Sequence, residues 1–261
     1  MTDPAAPVPA VPHVGVGPWA GPWPTGPDGA PDPRYDPELL AHGDRRNVVD
    51  RYRYWTVEAI VTDLDTRRHP LHVAIENWAH DLNIGSVVRT ANAFNVAGVH
   101  VVGRRRWNRR GAMVTDRYLH VDHRPDAAAL AAWADDAGLP VIGVDNVPGS
   151  VPIEGYRFPE RCVLVFGQES TGLTAPMQAA CADVVHITQH GSTRSLNAGA
   201  AAAIAMHAWA LQHARAGGDD DADDDAGDDD GAEGGDATGA RPDARSGVRG
   251  GRLGALAGRT R

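Results

Sequence analysis

Hydrophobic residues recur along this chain with two alternating periods. After Thr56, a plausible helix N-cap, Val57, Ile60, Val61 and Leu64 follow at helical spacing, and the helix must stop before His69-Pro70. Residues 71–75 form a short apolar run that predicts a strand. Asn83 then sits where a helix N-cap is expected, Val87, Ala91 and Phe94 make one stripe, and Gly98 follows the end. Further strands are predicted at 99–102, 140–144, 162–166 and 184–187. The helices between and after them fall at 126–137, closed by Gly138, at 175–182, and from 196 to about 215. Strands alternating with helices predict an α/β fold whose sheet is largely parallel and buried on both faces.

Composition divides the chain unevenly. It has 261 residues, 42% of them hydrophobic, and a net charge of −9. Residues 1–44 carry six acids and one Arg, begin as a Pro/Gly/Ala-rich stretch, and are expected to be a disordered arm. Residues 45–124 reverse the sign, with 14 Arg against eight acids. Residues 45–70 are expected to be a helical extension and 71–215 the main domain. Residues 216–261 hold twelve acids and six Arg, and are expected to be a disordered tail that is acidic first and Arg/Gly-rich at its end.

All 25 basic residues are Arg, so Schiff-base chemistry and a Walker-type phosphate lysine are excluded. Two cysteines cannot build a disulfide scaffold or a four-thiolate zinc site. His120, Asp122 and His123 are the nearest thing to a metal cluster, and no metal is expected. The apolar stretch 196–211 is interrupted by Asn197, Gly199 and His207, so no spanning helix is expected, and no basic-then-apolar leader stands at the start. A soluble, cytoplasmic protein is the expectation.

Three segments lie beyond the carboxyl ends of predicted strands, where ligands collect in parallel sheets. The first, 83–90, reads Asn-Ile-Gly-Ser-Val-Val-Arg-Thr. Gly85 and Arg89 share a helix face away from the apolar stripe, so Gly85 is expected to leave space for the Arg89 guanidinium. The second, 165–173, runs from a buried strand into a turn with Gly167 and Gly172 around Glu169. The third, 190–197, leads into an Ala-rich helix, with Ser195 suited to the N-cap.

Together these segments closely resemble the three motifs of the SpoU (TrmH) family of RNA 2′-O-ribose methyltransferases, in the SPOUT superfamily. The patterns are Asn-x-Gly-x-x-x-Arg, Phe-Gly-x-Glu-x-x-Gly-Leu, and Ser-Leu-Asn before a small-residue helix; the resemblance covers roughly 55–213. Gln168 and Ser170 stand where that family often has Asn and Gly. The stretch 103–118 resembles an actinobacterial-type branch of it.

The resemblance implies a parallel sheet with helices on both faces and a deep trefoil knot near its C-terminal end. It implies S-adenosylmethionine as the methyl donor and a homodimer with active sites at the subunit interface. By motif position, Asn83, Arg89, Glu169, Ser195 and Asn197 would be catalytic. Gly167, Glu169, Gly172, Leu173, Ile187, Ser195, Leu196 and Asn197 would hold the donor. Arg89 would either act as the base or, as favoured on physical grounds, stay charged and stabilise alkoxide while phosphate or water takes the proton.

RNA contact fits the charge map. Arg45, Arg46, Arg51 and Arg53 interleave with Tyr52, Tyr54 and Trp55, and Arg104, Arg105, Arg106, Arg109 and Arg110 flank Trp107. The expected substrate is tRNA or rRNA, with tRNA slightly favoured. Two other functions fit the same motifs: a non-catalytic RNA-binding or assembly factor that keeps the fold, and a methyltransferase acting on a base nitrogen.

Overall fold

The computed structural model describes residues 15–78 and 83–214; the acidic tail and the Arg/Gly-rich end lie outside the described residues. Among the described residues, seven strands form one sheet: β1 (His69–Asn77), β2 (Val96–Gly103), β3 (Val121–Arg124), β4 (Val141–Val144), β5 (Val151–Pro152), β6 (Cys162–Phe166) and β7 (Asp183–His186). Their order is β3-β2-β1-β6-β4-β7-β5, and every pairing is parallel. The helices are α1 (Pro37–His42), α2 (Val57–Asp65), α3 (Asn83–Ala93), α4 (Ala127–Ala137), α5 (Ala175–Ala180) and α6 (Ala198–His213).

Strand alternation sorts the core into two layers. On β1 and β6, Leu71, Val73, Ile75, Cys162, Leu164 and Phe166 face α3 and α6 and join Ile84, Val88, Met206 and Trp209. Ala74, Val163 and Val165 face the other way, onto Leu130 and Ala134 of α4 and Met177 of α5. Burial on both faces is why these strands read as continuous apolar runs.

Local chemistry sets the helix ends. Thr56 Oγ1 accepts the Ala59 N–H at the start of α2, and Asp126 accepts the Ala129 N–H at the start of α4. Gly138 closes α4 in the left-handed conformation (φ 66°), with its N–H on the last carbonyls. Two strands escape a reading by apolar runs. β3 is an edge strand of the sequence Val-Asp-His-Arg, and β5 is two residues long with a proline.

Residues 15–44, expected within a disordered arm, instead follow a defined path. Val16 and Asp44 exchange backbone hydrogen bonds at 2.9 and 3.0 Å, and Tyr54 Oη donates to the Gly17 carbonyl at 2.6 Å. Trp19 meets Tyr54 edge to face at 5.3 Å, and Tyr35 meets Trp55 at 6.3 Å. A few aromatic anchors and one buried ion pair, Asp44 with Arg46 at 2.7 Å, outweigh the Pro/Gly composition. No helix among the described residues is long and apolar enough to cross a membrane.

Beneath α4 lies an imidazole pair the apolar pattern does not disclose. His100 Nε2 and His72 Nδ1 are 3.2 Å apart, and the Trp133 ring lies 4.0 Å from that of His100. Arg124 faces His100 Nδ1 at 3.4 Å, with Asp122 at 4.0 Å. Burial pushes His72 down to about 4 and His100 down to about 3. Values depressed below the ordinary one mean that the unfolded chain takes up these protons first as pH falls. Their contribution is present above about pH 6.5 and is lost progressively toward pH 4. Thermal melting should therefore show a steady fall in Tm from pH 7 to 4.5, and His100→Leu should flatten that slope; an unchanged slope would refute the assignment.

Candidate functional site

The carboxyl ends of β4, β6 and β7 and the approach to α6 enclose a cleft of about 320 Å³. Each wall follows from local backbone chemistry. After β6 the chain turns sharply at Gly167, and Gln168 and Gly172 pair across the turn through hydrogen bonds of 3.2 and 2.8 Å. A Cβ on Gly167 would lie 2.0 Å from the Gly172 carbonyl carbon, so only glycine permits this closure. Asp145, just past β4, holds the far side of the turn: its Oδ2 accepts the Leu173 N–H at 2.7 Å. Glu76, fully buried at the end of β1, accepts from the Thr174 N–H and hydroxyl at 2.8 and 2.6 Å. The loop is thus tied to two neighbouring strands by carboxylates, neither of which the motifs disclosed.

The three motif segments converge at one point beside this cleft. Asn83 Nδ2 donates to Glu169 Oε2 at 2.7 Å. Asn197 Nδ2 donates to Asn83 Oδ1 at 2.8 Å and lies 3.4 Å from Glu169 Oε1. Asn197 Oδ1 accepts the Gly199 and Ala200 N–H groups, so Asn197 is the N-cap of α6, the place expected for Ser195. The helix starts two residues later than its apolar pattern suggests, and Ser195 is left exposed on the cleft wall.

Of the expected donor-site residues, Gly167, Glu169, Gly172, Ile187, Ser195 and Leu196 line the cleft. Asn197 faces Asn83 and Glu169 instead. Leu173 does not line it: its side chain is buried in the core layer under α4 and α5. A motif position says which residue is present, not which way a turn aims it. Gln189 was not foreseen. It lines the cleft, and its Oε1 is buried without a hydrogen-bond partner among the described residues.

Arg89 is exposed on α3, with no hydrogen bond or ion pair among the described residues. The space expected beside it at Gly85 is already filled. A Cβ on Gly85 would lie 2.7 Å from Gly111 Cα and from the Ala112 nitrogen, so the glycine admits the backbone of the arginine-rich loop. On the same helix Ser86 approaches Gly199 of α6 closely, and α3 is thereby wedged between that loop and α6.

The expected RNA-binding arginines divide by environment. Arg46 is held by the buried Asp44 and the Trp55 carbonyl, Arg51 by Asp63, and Arg53 by the Arg46 carbonyl and Asp50. These three brace the segment before α2. Arg109 pairs with Asp116 at 3.2 Å and lies over the Trp107 ring. Arg45, Arg104, Arg105, Arg106 and Arg110 are exposed, with no ion pair among the described residues.

His120 and His123 are engaged separately, by Asp65 and the Gly103 carbonyl, and no group of three metal-ligating side chains gathers among the described residues. Burial pushes the Cys162 and Cys181 thiols up to about 12, so neither offers a thiolate at neutral pH.

The model of the SpoU rRNA methylase family matches residues 70–207. A Mycolicibacterium vanbaalenii protein named as an uncharacterized tRNA/rRNA methyltransferase is 31% identical over 67% of this chain and 58% of its own length. A Mycobacterium avium protein of the same name is 33% identical over 52% of this chain and 45% of its own. The chain spans about half the length of the curated relatives it matches. Among solved structures, the A. aeolicus TrmH/SpoU tRNA modifying enzyme superposes with a TM-score of 0.53 at 19% identity, covering 60% of this chain and 81% of its own. A second, titled an RNA 2′-O ribose methyltransferase, superposes with a TM-score of 0.50 at 21% identity, covering 56% and 58%. These two likenesses are of fold.

The turn at Gly167 gives a direct test. Gly167→Ala should lower stability by about 2 kcal/mol or more, because the added methyl meets backbone rather than a side chain that can swing away. Thermal melting checks this, and a Tm within a degree of the parent would contradict the closure.

Proposed function

The chain belongs to the SpoU rRNA methylase family, and on that premise we propose that it transfers a methyl group from S-adenosylmethionine to a ribose 2′-hydroxyl of RNA. The observation that carries this reading is the convergence of Asn83, Glu169 and Asn197, from three separate segments, beside the cleft. A protein that only binds RNA has no need to fix a carboxylate between two amides next to a cavity.

The cleft suits this donor on two counts. Its walls combine apolar surface at Ile187, Leu196, Ala198 and Ala201 with a pinched backbone that a single Cβ at Gly167 would disrupt. The buried Gln189 Oε1 offers an unused acceptor to a ligand with amino donors. Gly167, Gly172, Ile187, Ser195 and Leu196 would hold the donor, which supplies an already activated methyl group when bound.

The rest of the task falls to the protein's own residues. Glu169, fixed by Asn83 and Asn197, sets a negative charge at the cleft rim, where a positively charged ligand gains from it. Ser195 adds a free-turning hydroxyl on the same wall. Arg89 stays protonated and stabilises charge developing on the ribose oxygen, while an RNA phosphate or water takes the proton. A homodimer accounts for its open position: Arg89 lies on an exposed face of α3, and Ile204 and Leu211 of the neighbouring α6 are 41% and 75% exposed. A second copy covering that surface would bring Arg89 to an active site. tRNA and rRNA both remain within the proposal, and a knotted path of the chain around the cleft belongs to it as well.

The experiment is transfer of labelled methyl from S-adenosylmethionine into unmodified bulk tRNA and, separately, unmodified rRNA. A 2′-O-methyl group blocks alkaline cleavage, so the label should be recovered in alkali-resistant dinucleotides. Label in alkali-sensitive nucleotides would point to a base nitrogen, and no label with no donor binding would reject the enzyme reading. Arg89→Ala should abolish turnover while donor binding survives; undiminished turnover would reject its role.

A further inference from the structure

A second cleft, of about 660 Å³, opens between the segment around α1 and the segment that follows the arginine-rich loop. It lies mostly outside the family match on one side, since Leu39, His42, Arg45 and Asn47 precede residue 70. The opposite wall is Met113, Val114 and Arg117.

That wall is built at a cost. Met113 and Val114 both have positive φ, 48° and 68°, and a β-branched residue rarely adopts this conformation. The strain is held in place from both sides. Ala112 is packed against Gly85 of α3, Thr115 Oγ1 donates to the Ala112 carbonyl at 2.7 Å, and Tyr118 is buried beside Ile60. The result turns two large apolar side chains outward, leaving Met113 61% and Val114 54% exposed. A strained backbone that presents apolar surface to solvent asks for a ligand.

The charges around it say which ligand. Among the described residues, no Asp or Glu lines the cleft. Arg46 is neutralised by Asp44, but Arg45 and Arg117 are exposed, with no ion pair among the described residues. Two guanidinium forks suit phosphate oxygens, and a thioether beside a branched aliphatic suits the face of a base. The Met113 N–H bonds to the Arg110 carbonyl, so this wall continues directly from the exposed arginines of the 104–110 loop.

We propose that this cleft takes one unpaired nucleotide of the RNA substrate, away from the methylated residue, with its base on Met113 and Val114 and flanking phosphates on Arg45 and Arg117. The proposal rests on the RNA methyltransferase reading. It adds a recognition point supplied jointly by the segment before α2 and by the body.

Two full-length variants test it: Arg45→Ala with Arg117→Ala, and Met113→Ala alone. All three substitutions are at exposed positions and should leave melting unchanged. With the RNA pool that the parent methylates, the double variant should raise KM for RNA ~10-fold and lower the log KM against log salt slope by about 2. Met113→Ala should raise KM ~5-fold with the slope unchanged, as a stacking contact requires. For both, kcat and the calorimetric Kd for S-adenosylmethionine should stay within about twofold. KM unchanged in either variant would overturn the proposal and leave the methyltransferase reading intact. A Met113→Ala chain that loses its self-association would also overturn it, because a second copy would then be the occupant. If the parent transfers no methyl, filter binding of the same tRNA and rRNA decides. Binding weakened in both variants keeps the nucleotide site and rejects the enzyme reading, whereas no binding by the parent rejects both.

Discussion

Asn83, Glu169 and Asn197 meet although 86 and 114 residues of chain separate Asn83 from the other two. Each side chain does more than one thing. Asn83 donates to the carboxylate and accepts from Asn197, and Asn197 also caps α6 through its oxygen. A carboxylate in such a place is held by the geometry of its donors, and charge-assisted bonds of this kind are the stronger ones. The first turn of α3, the turn after β6 and the entry to α6 are therefore positioned by one polar node. The cleft wall is made largely from two of those segments.

The apolar frame makes that node possible. Parallel strands bring the ends of β1, β4, β6 and β7 to one side of the sheet, and the two core layers fix α3 and α6 on one face. Close approaches finish the arrangement. Gly85 against Gly111 and Gly199 against Ser86 set α3 at a short distance from both neighbours, which larger residues would forbid. Two carboxylates, the buried Glu76 and the partly exposed Asp145, then satisfy the backbone of the turn that the glycines allow.

Much of this was legible beforehand, for identifiable reasons. The runs at 71–75 and 162–166 are buried on both faces, so they announce strands, and Thr56 and Gly138 carry capping chemistry that is local. β3 and β5 were missed because edge strands need little apolar surface. Ser195 looked like a cap because it precedes a helical pattern, but Asn197 has the side chain that reaches the first N–H groups. Arg46, Arg51 and Arg53 looked like an RNA surface, yet ion pairs with Asp44, Asp63 and Asp50 engage them. Charge counts cannot show pairing across a turn. The same blindness to distant pairing hid the order in 15–44, where Trp19, Tyr35 and Tyr54 act through contacts 16 to 35 residues apart in sequence.

Three motif segments that act as one unit through a shared polar node must be energetically coupled. A double-mutant cycle on Asn83→Ala and Asn197→Ala, read as S-adenosylmethionine affinity by calorimetry and as thermal stability, measures that coupling. The two losses should be non-additive, with a coupling of about 1 kcal/mol or more, as for residues that share a hydrogen-bond network. Additive losses, within about 0.3 kcal/mol, would mean that the segments are placed independently, and would contradict the claim.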